Sequence, residues 1–254
     1  LMVPRTRMVR TSCFPVLTPP SGNLAHPLSV RTRAEQPIRA ASRALRVGVE
    51  RIRMSFQRYY IVPERFRHLF LAGLSGLVLS FGLIQPGTWL AAWVGLAPLL
   101  LAIRSATPAQ AAVRGLVAGF VYYGVILYWI ILFGALPWFL LVIYQAAYIA
   151  LFAVVANRLW PERLGWLGFL GIPAAWSVTE YLRMAGVYGF AWGSLAHTQS
   201  SNLPFLQASE FAGPCGISFA LVFLNLAIAY ALSGRGKRRL LPLSLACLIV
   251  AVMC

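Results

Sequence analysis

The sequence predicts an all-α polytopic membrane protein, a bundle of about seven transmembrane helices of which the last is truncated. Three observations predict it. The apolar residues, 59% of the chain, are gathered into long runs, as a chain solvated by lipid requires. Charged residues make up only 11%, against about 25% in an ordinary soluble domain. Beyond residue 67, basic residues stand almost only in short clusters between the runs, the pattern of a topology signal.

Residues 1–67 form the first region, a basic stretch with 13 arginines and three glutamates. It lacks the apolar core of about 7–15 residues that a secretory signal peptide carries. Ile38, Leu45, Val49, Ile52 and Phe56 recur at helical spacing among Arg43, Arg46, Arg51 and Arg53, which suits an anionic membrane surface. An Arg-rich, acid-poor stretch also describes an organellar transit peptide, and Met54 offers a later start just upstream of the first apolar run. With little to bury, residues 1–67 are expected to be a disordered cytoplasmic extension or a start placed too early.

The second region, 68–254, holds the runs. They are 69–84, 88–103, 111–133, 136–160, 165–182, 214–232 and 240–254. A bilayer core needs about 20 helical residues, so the first, second and seventh are short. Gln85-Pro86-Gly87 separates the first two as a turn, and they are read as a hairpin that dips deep with some mismatch. The seventh ends with the chain, so Cys254 is read as a truncation point.

Placement of Lys and Arg sets the orientation. The Arg-rich N-terminus is expected in the cytoplasm. Seven alternating spans then put Arg104, Arg114, Arg158, Arg163, Arg235, Lys237, Arg238 and Arg239 on the cytoplasmic side, and only Arg183 outside. The expected location is the bacterial inner membrane, with the loop 183–213 in the periplasm and the last span running outward.

The net charge of +16 is the figure of a nucleic-acid binder, but its confinement to the leader and to short loops excludes that class of partner. The four cysteines form no CxxC and no metal spacing with His26, His68 or His197, so neither a disulfide framework nor a metal site is expected. No GxSxG, HExxH, Walker or GxGxxG motif occurs. No nucleophile, base and oxyanion site can be assembled from these residues, and no cofactor is expected.

The candidate site residues lie around the one long external loop, since long loops are often functional. Glu180 is an acid near the outer end of the fifth run, a functional candidate by default, and Arg183 shares its helix face three residues on. Tyr188, Phe190 and Trp192 alternate with Gly186, Gly189 and Gly193, a composition that suits the headgroup level. His197 could act as an acid or base. Gln145, Asn157 and Asn225 are read as bridges between helices, and Gly115 with Gly119 as a small-residue packing step.

These residues carry a family likeness. Pro173-Ala-Ala-Trp176-Ser-Val-Thr-Glu180-Tyr-Leu-Arg183, then Gly189-Phe-Ala-Trp192-Gly, then His197-Thr-Gln199 resemble the bacterial apolipoprotein N-acyltransferase signature P-A-x-W-x-x-x-E-x-L-R, G-F-P-W and a Y-S-Q-like triplet. Trp93-Val-Gly-Leu-Ala-Pro98, Gly119-Phe, Tyr128-Trp129, and Gly213 through Phe219 with Asn225 are also similar to that family. Ala191 stands where the family has Pro, and His197 where it has Tyr. The likeness covers about residues 68–254.

The resemblance implies an enzyme that moves an acyl chain from a phospholipid to the α-amine of a lipoprotein's lipidated N-terminal cysteine. It implies a ping-pong route through a thioester at the periplasmic face. The Glu base, the Lys and the Cys nucleophile are expected in a nitrilase-like domain beyond Cys254, so residues 1–254 alone are expected to be inactive. The partners implied are a membrane phospholipid as donor, a lipidated apolipoprotein as acceptor, and the bilayer. Glu180, Arg183, Phe190, Trp192, His197 and Gln199 are the expected substrate-binding residues. The alternative from the residues alone is a multi-span transporter or scaffold, although no internal repeat supports a transporter.

Overall fold

A computed structural model of the chain describes residues 64–84, 87–233, 241–245 and 247. The expectations for residues 1–63, for Gln85 and Pro86, for the basic cluster at 235–239 and for most of the seventh run fall outside the described residues. Among the described residues every regular element is helical.

Among the described residues the α-helices up to Ser233 are α1 (Glu64–Ile84), α2 (Leu90–Val94), α3 (Ala97–Ile103), α4 (Pro108–Ile126), α5 (Ala135–Arg158), α6 (Pro161–Leu164), α7 (Trp166–Met184), α8 (Leu203–Gln207) and α9 (Ser209–Ser233). Short 3₁₀ turns cover Tyr128–Phe133 and Leu195–Gln199. Among the described residues, four stretches are long and apolar enough to cross a bilayer: Glu64–Ile84, Pro108–Ile126, Ala135–Leu164 and Ser209–Ser233. The first run is longer than its apolar core suggested, because Glu64-Arg65-Phe66-Arg67-His68 continue the helix. α7 has 19 residues, but Glu180 and Arg183 fall within it and it is not among the four.

Helix boundaries follow local chemistry. Thr107 caps α4 reciprocally with Gln110: the Gln110 amide donates to Thr107 Oγ1 at 3.3 Å, and the Thr107 amide to Gln110 Oε1 at 3.1 Å. Pro108 takes the first turn of that helix, where its missing N–H costs nothing. In α9, Gly213 leaves helical geometry at φ +63° just before Pro214. The kink divides α9 into a short first turn from Ser209 and a long helix from Pro214, where the sixth run was read to begin.

α4 lies against both α1 and α5, and small residues let the backbones meet. A Cβ at Gly115 would sit 2.6 Å from Ala153 Cβ, and one at Gly76 would sit 2.2 Å from the Ala118 carbonyl oxygen. Any larger side chain would push these helices apart, the small-residue packing that substitutes for a hydrophobic drive in lipid.

The second run does not form one span. It breaks at Gly95-Leu96 into α2 and α3. A break inside an apolar bundle leaves backbone groups without partners, which is costly unless protein satisfies them. The fully buried Asn225 of α9 does so. Its Oδ1 accepts from the Leu96 and Ala97 amides, each at 2.9 Å, and its Nδ2 donates to the Ala92 and Leu221 carbonyls at 2.9 and 2.8 Å. Ser75 Oγ of α1 donates to the Gly95 carbonyl at 2.6 Å. At the other end of α3, Asn157 Nδ2 donates to the Ile103 and Ala106 carbonyls, and Arg114 Nη1 to the Ala102 carbonyl. Asn157 and Asn225 thus bridge helices as the sequence suggested. Gln145 differs: it is fully buried and neither side-chain amide atom has a hydrogen-bond partner.

Candidate functional site

The connection from α7 to α9 runs over 185–208 and is not a free loop. It folds over one end of the bundle on hydrogen bonds from α7. Arg183 is 1% exposed. Its Nη1 donates to the Phe190 carbonyl at 2.8 Å and the Trp192 carbonyl at 2.7 Å. In return the Phe190 amide donates to the Arg183 carbonyl at 2.9 Å. The guanidinium lies over the Tyr123 ring, 5.5 Å from its centroid, a placement that favours a desolvated cation. Glu180, 5% exposed, accepts from the Leu195 amide through Oε1 at 2.7 Å. Charged partners make these the strong class of hydrogen bond.

Glu180 and Arg183 share a helix face, yet no ion pair within 4 Å joins them; among the described residues the recorded ion pair is Arg67 with Glu64. Each instead holds its own part of the connection. Sequence spacing suggested a mutual pair; the structure spends both charges on backbone groups that a turn had left orphaned.

Two further anchors come from elsewhere. Tyr122 of α4, buried, donates through its hydroxyl to the Gly193 carbonyl at 3.1 Å. Gly193 has φ +79°, which favours glycine on backbone grounds, and a Cβ there would press on the tip of Ile126, 2.6 Å from its Cδ1. Gln199, fully buried, accepts from Trp93 Nε1 at 3.0 Å and donates from Nε2 to the Trp89 carbonyl at 3.2 Å. Asn202 Nδ2 donates to Gln199 Oε1 at 3.1 Å.

The result is an open apolar cleft of about 500 Å³. Leu83 and Ile84 of α1 and Val125 and Ile126 of α4 form one side, with Tyr128 and Trp129 of the first 3₁₀ turn. Trp192, Gly193, His197 and Ser200 form the other. Trp129 and Trp192 meet edge to face, 6.2 Å between ring centroids. Trp192 remains 57% exposed, and Val187 and Tyr188 project almost wholly into the surroundings. Arg183 Nη2 and Ser194 Oγ, both buried at the root of the connection, have no hydrogen-bond partner.

Of the six residues expected to bind substrate, Trp192 and His197 line this cleft. Glu180 and Arg183 hold up its wall, and Phe190 is half-buried beside them. Gln199 does not reach the cleft and faces Trp89 and Trp93. Sequence reasoning missed Tyr122 and Tyr123 as parts of the site, and it named Gly193 only as one of the loop's glycines, not as the residue that Tyr122 holds. Two adjacent tyrosines inside an apolar run were the available signal, because a phenol hydroxyl at membrane depth needs a partner. Among the described residues no three His, Cys, Asp or Glu side chains converge as metal ligands.

Comparison with known proteins gives the site its context. Residues 75–227 match the model of the apolipoprotein N-acyltransferase N-terminal domain. The chain is similar to the apolipoprotein N-acyltransferase of Geobacter metallireducens, 33% identical over 201 residues, 75% of this chain and 38% of that protein. It is similar to that of Nostoc sp., 31% identical over 164 residues, 56% of this chain and 32% of the relative. It is also similar to that of Methylococcus capsulatus, 30% identical over 188 residues, 67% and 36% respectively. The matched part therefore spans between about a third and two fifths of these relatives.

Proposed function

The chain belongs to the apolipoprotein N-acyltransferase family through its N-terminal domain, and from that premise we propose that it is the membrane half of an enzyme of lipoprotein maturation. In this reading the helical bundle gathers a phospholipid acyl donor and a lipidated apolipoprotein acceptor at the outer face of a bacterial inner membrane. The acyl transfer itself belongs to a nitrilase-like portion outside residues 1–254. There a thiolate attacks the donor's ester carbonyl and expels the lysophospholipid alkoxide. The acceptor amine then attacks the thioester and releases the thiol.

The observation that carries the reading is the aromatic-lipped cleft under a connection pinned by Glu180 and Arg183. Its lining is mostly apolar and the cleft is open, which suits an acyl chain entering from lipid. Trp129 and Trp192 offer ring faces to the chain and indole N–H groups to the headgroup region. Arg183 Nη2 and Ser194 Oγ are buried donors without partners, the type of group that an ester or phosphate oxygen satisfies. The basic residues Arg104, Arg114, Arg158 and Arg163 precede or begin helices that end at the cleft, or end helices that begin there, which supports an outward-facing cleft.

The test is a chimera. Residues 68–254 replace the corresponding membrane domain of the Geobacter metallireducens relative, in cells depleted of their own enzyme. Mass spectrometry of a lipoprotein N-terminus should find the third acyl chain restored. A chimera that inserts at normal abundance but leaves the N-terminal amine free would refute the proposal. A phosphatase fusion after Ser233, preceding the basic cluster, should be inactive outside; activity there would reverse the orientation.

A further inference from the structure

A second cavity opens at the other end of the same helices. It has a volume of about 480 Å³ and lies between the first turn of α1 and the start of α4. The two cavities share α1 and α4 but touch opposite ends of each: Glu64 and Arg114 line this one, Ile84 and Ile126 the cleft. The lining runs up to Leu69 and Arg114 here and from Leu83 and Val125 at the cleft, so the rise of a helix sets the cavity centres about 20–25 Å apart, most of the thickness of a bilayer core.

Its chemistry is the reverse of the cleft's. Arg65, His68 and Arg114 line it, with Gln110, and Glu64 is its acid. Arg114 is only 7% exposed, and its Nη1 is committed to the Ala102 carbonyl at 2.5 Å. Glu64 stands 3.9 Å from Arg67. Among the described residues, no carboxylate comes within ion-pair distance of Arg65 or Arg114. A guanidinium this buried at the edge of lipid is costly without a counter-charge, and among the described residues none lies within ion-pair distance of it.

We propose that this cavity binds the phosphate of an anionic phospholipid headgroup from the leaflet at that end. Guanidinium groups match phosphate oxygens in geometry and charge. The wall continues into Val113, and the exposed apolar Phe66, Phe70 and Leu116 stand on the same two helices. A lipid can therefore lay its tails along α1 and α4 while its headgroup fills the cavity, which a free phosphate cannot. This site lies apart from the cleft and does not rest on the acyl-transfer reading.

Native mass spectrometry of the whole 254-residue chain in detergent tests it, with phosphatidylglycerol, phosphatidylcholine and inorganic phosphate as separate probes. Phosphatidylglycerol should bind in preference to phosphatidylcholine. The double variant R65Q/R114Q should weaken phosphatidylglycerol binding about tenfold, as expected when charge-assisted hydrogen bonds are lost. Arg114 also holds α3, so R65Q alone, at an exposed position, serves where the double variant does not fold; it should weaken binding about threefold. Equal phosphatidylglycerol binding in native chain and folded variants would overturn the proposal. So would saturable binding of inorganic phosphate that displaces the lipid and is lost in R65Q, since the site would then hold a free anion.

Discussion

Asn225 and Arg183 both hold backbone groups that lack a helical hydrogen-bond partner, one at the interruption between α2 and α3, where Gly95 and Leu96 keep helical dihedrals, the other at the connection from α7 to α9. The first knot is neutral and closed. Asn225 makes four hydrogen bonds, two accepted and two donated, so its amide is satisfied at every position it offers. The second is charged and incomplete. Arg183 serves two carbonyls through one nitrogen, while Nη2 and the neighbouring Ser194 Oγ stay unpartnered. A satisfied neutral network rigidifies a core; a buried network with spare donors is where a ligand atom can enter. The difference sets a fully satisfied interruption of the bundle apart from one that keeps unpartnered donors.

Four substitutions would break or sharpen this contrast. The largest effect should come from Asn225→Leu, which fills the space but strands the Leu96 and Ala97 amides and the Ala92 carbonyl. Each orphaned group costs about 1–3 kcal/mol. The loss should total about 4 kcal/mol, read as a fall in Tm of about 10 °C in detergent. A variant that melts with the native chain would mean the break is not held there.

Arg183→Gln should act next, and locally. The 185–194 backbone should exchange its amide protons about 30-fold faster, about 2 kcal/mol of local opening, while global melting changes little. Uniform loss of protection across α7 and α9 would show that the connection is part of the core and erase the contrast. Gly193→Ala should cost about 1–2 kcal/mol through its positive φ and should narrow the cleft against Ile126. The check is reduced quenching of Trp192 by brominated lipid chains. Trp192→Ala should be the mildest for stability, within about 0.5 kcal/mol at a largely exposed position. In the chimeric enzyme it should nevertheless slow acyl transfer several-fold. Unchanged transfer would remove the aromatic lip from the site.

Much of the fold was legible. Apolar runs marked α1, α4, α5 and α9, and their order survives. Gly115 with Gly119 marked the α4–α5 contact, and Asn157 and Asn225 were read as bridges. The break at Gly95-Leu96 was not legible, because the run 88–103 is apolar on both sides of it and the residues that make it tolerable, Asn225 and Ser75, lie on other helices. Glu180 and Arg183 were legible as candidates, since a charge at membrane depth is rare and expensive. Their partners were not: three-residue spacing suggested a pair, whereas the Leu195 amide and the Phe190 and Trp192 carbonyls outcompeted it. Gln199 was chosen by its place in a motif and proved to serve the Trp89–Trp93 side instead.

The sequence by itself determined that this chain lives in lipid, which stretches are helical, and which polar residues would have to be explained. Those are consequences of transfer free energy and helical reach, which each segment carries whatever its neighbours do. Only the tertiary structure decided what each buried polar side chain holds, where the second run breaks, and that α1 and α4 frame an apolar cleft at one end and a basic cavity at the other. Every residue but proline brings the same amide and every residue the same carbonyl, so nothing local distinguishes the few that packing leaves for Asn225, Glu180 and Arg183 to satisfy.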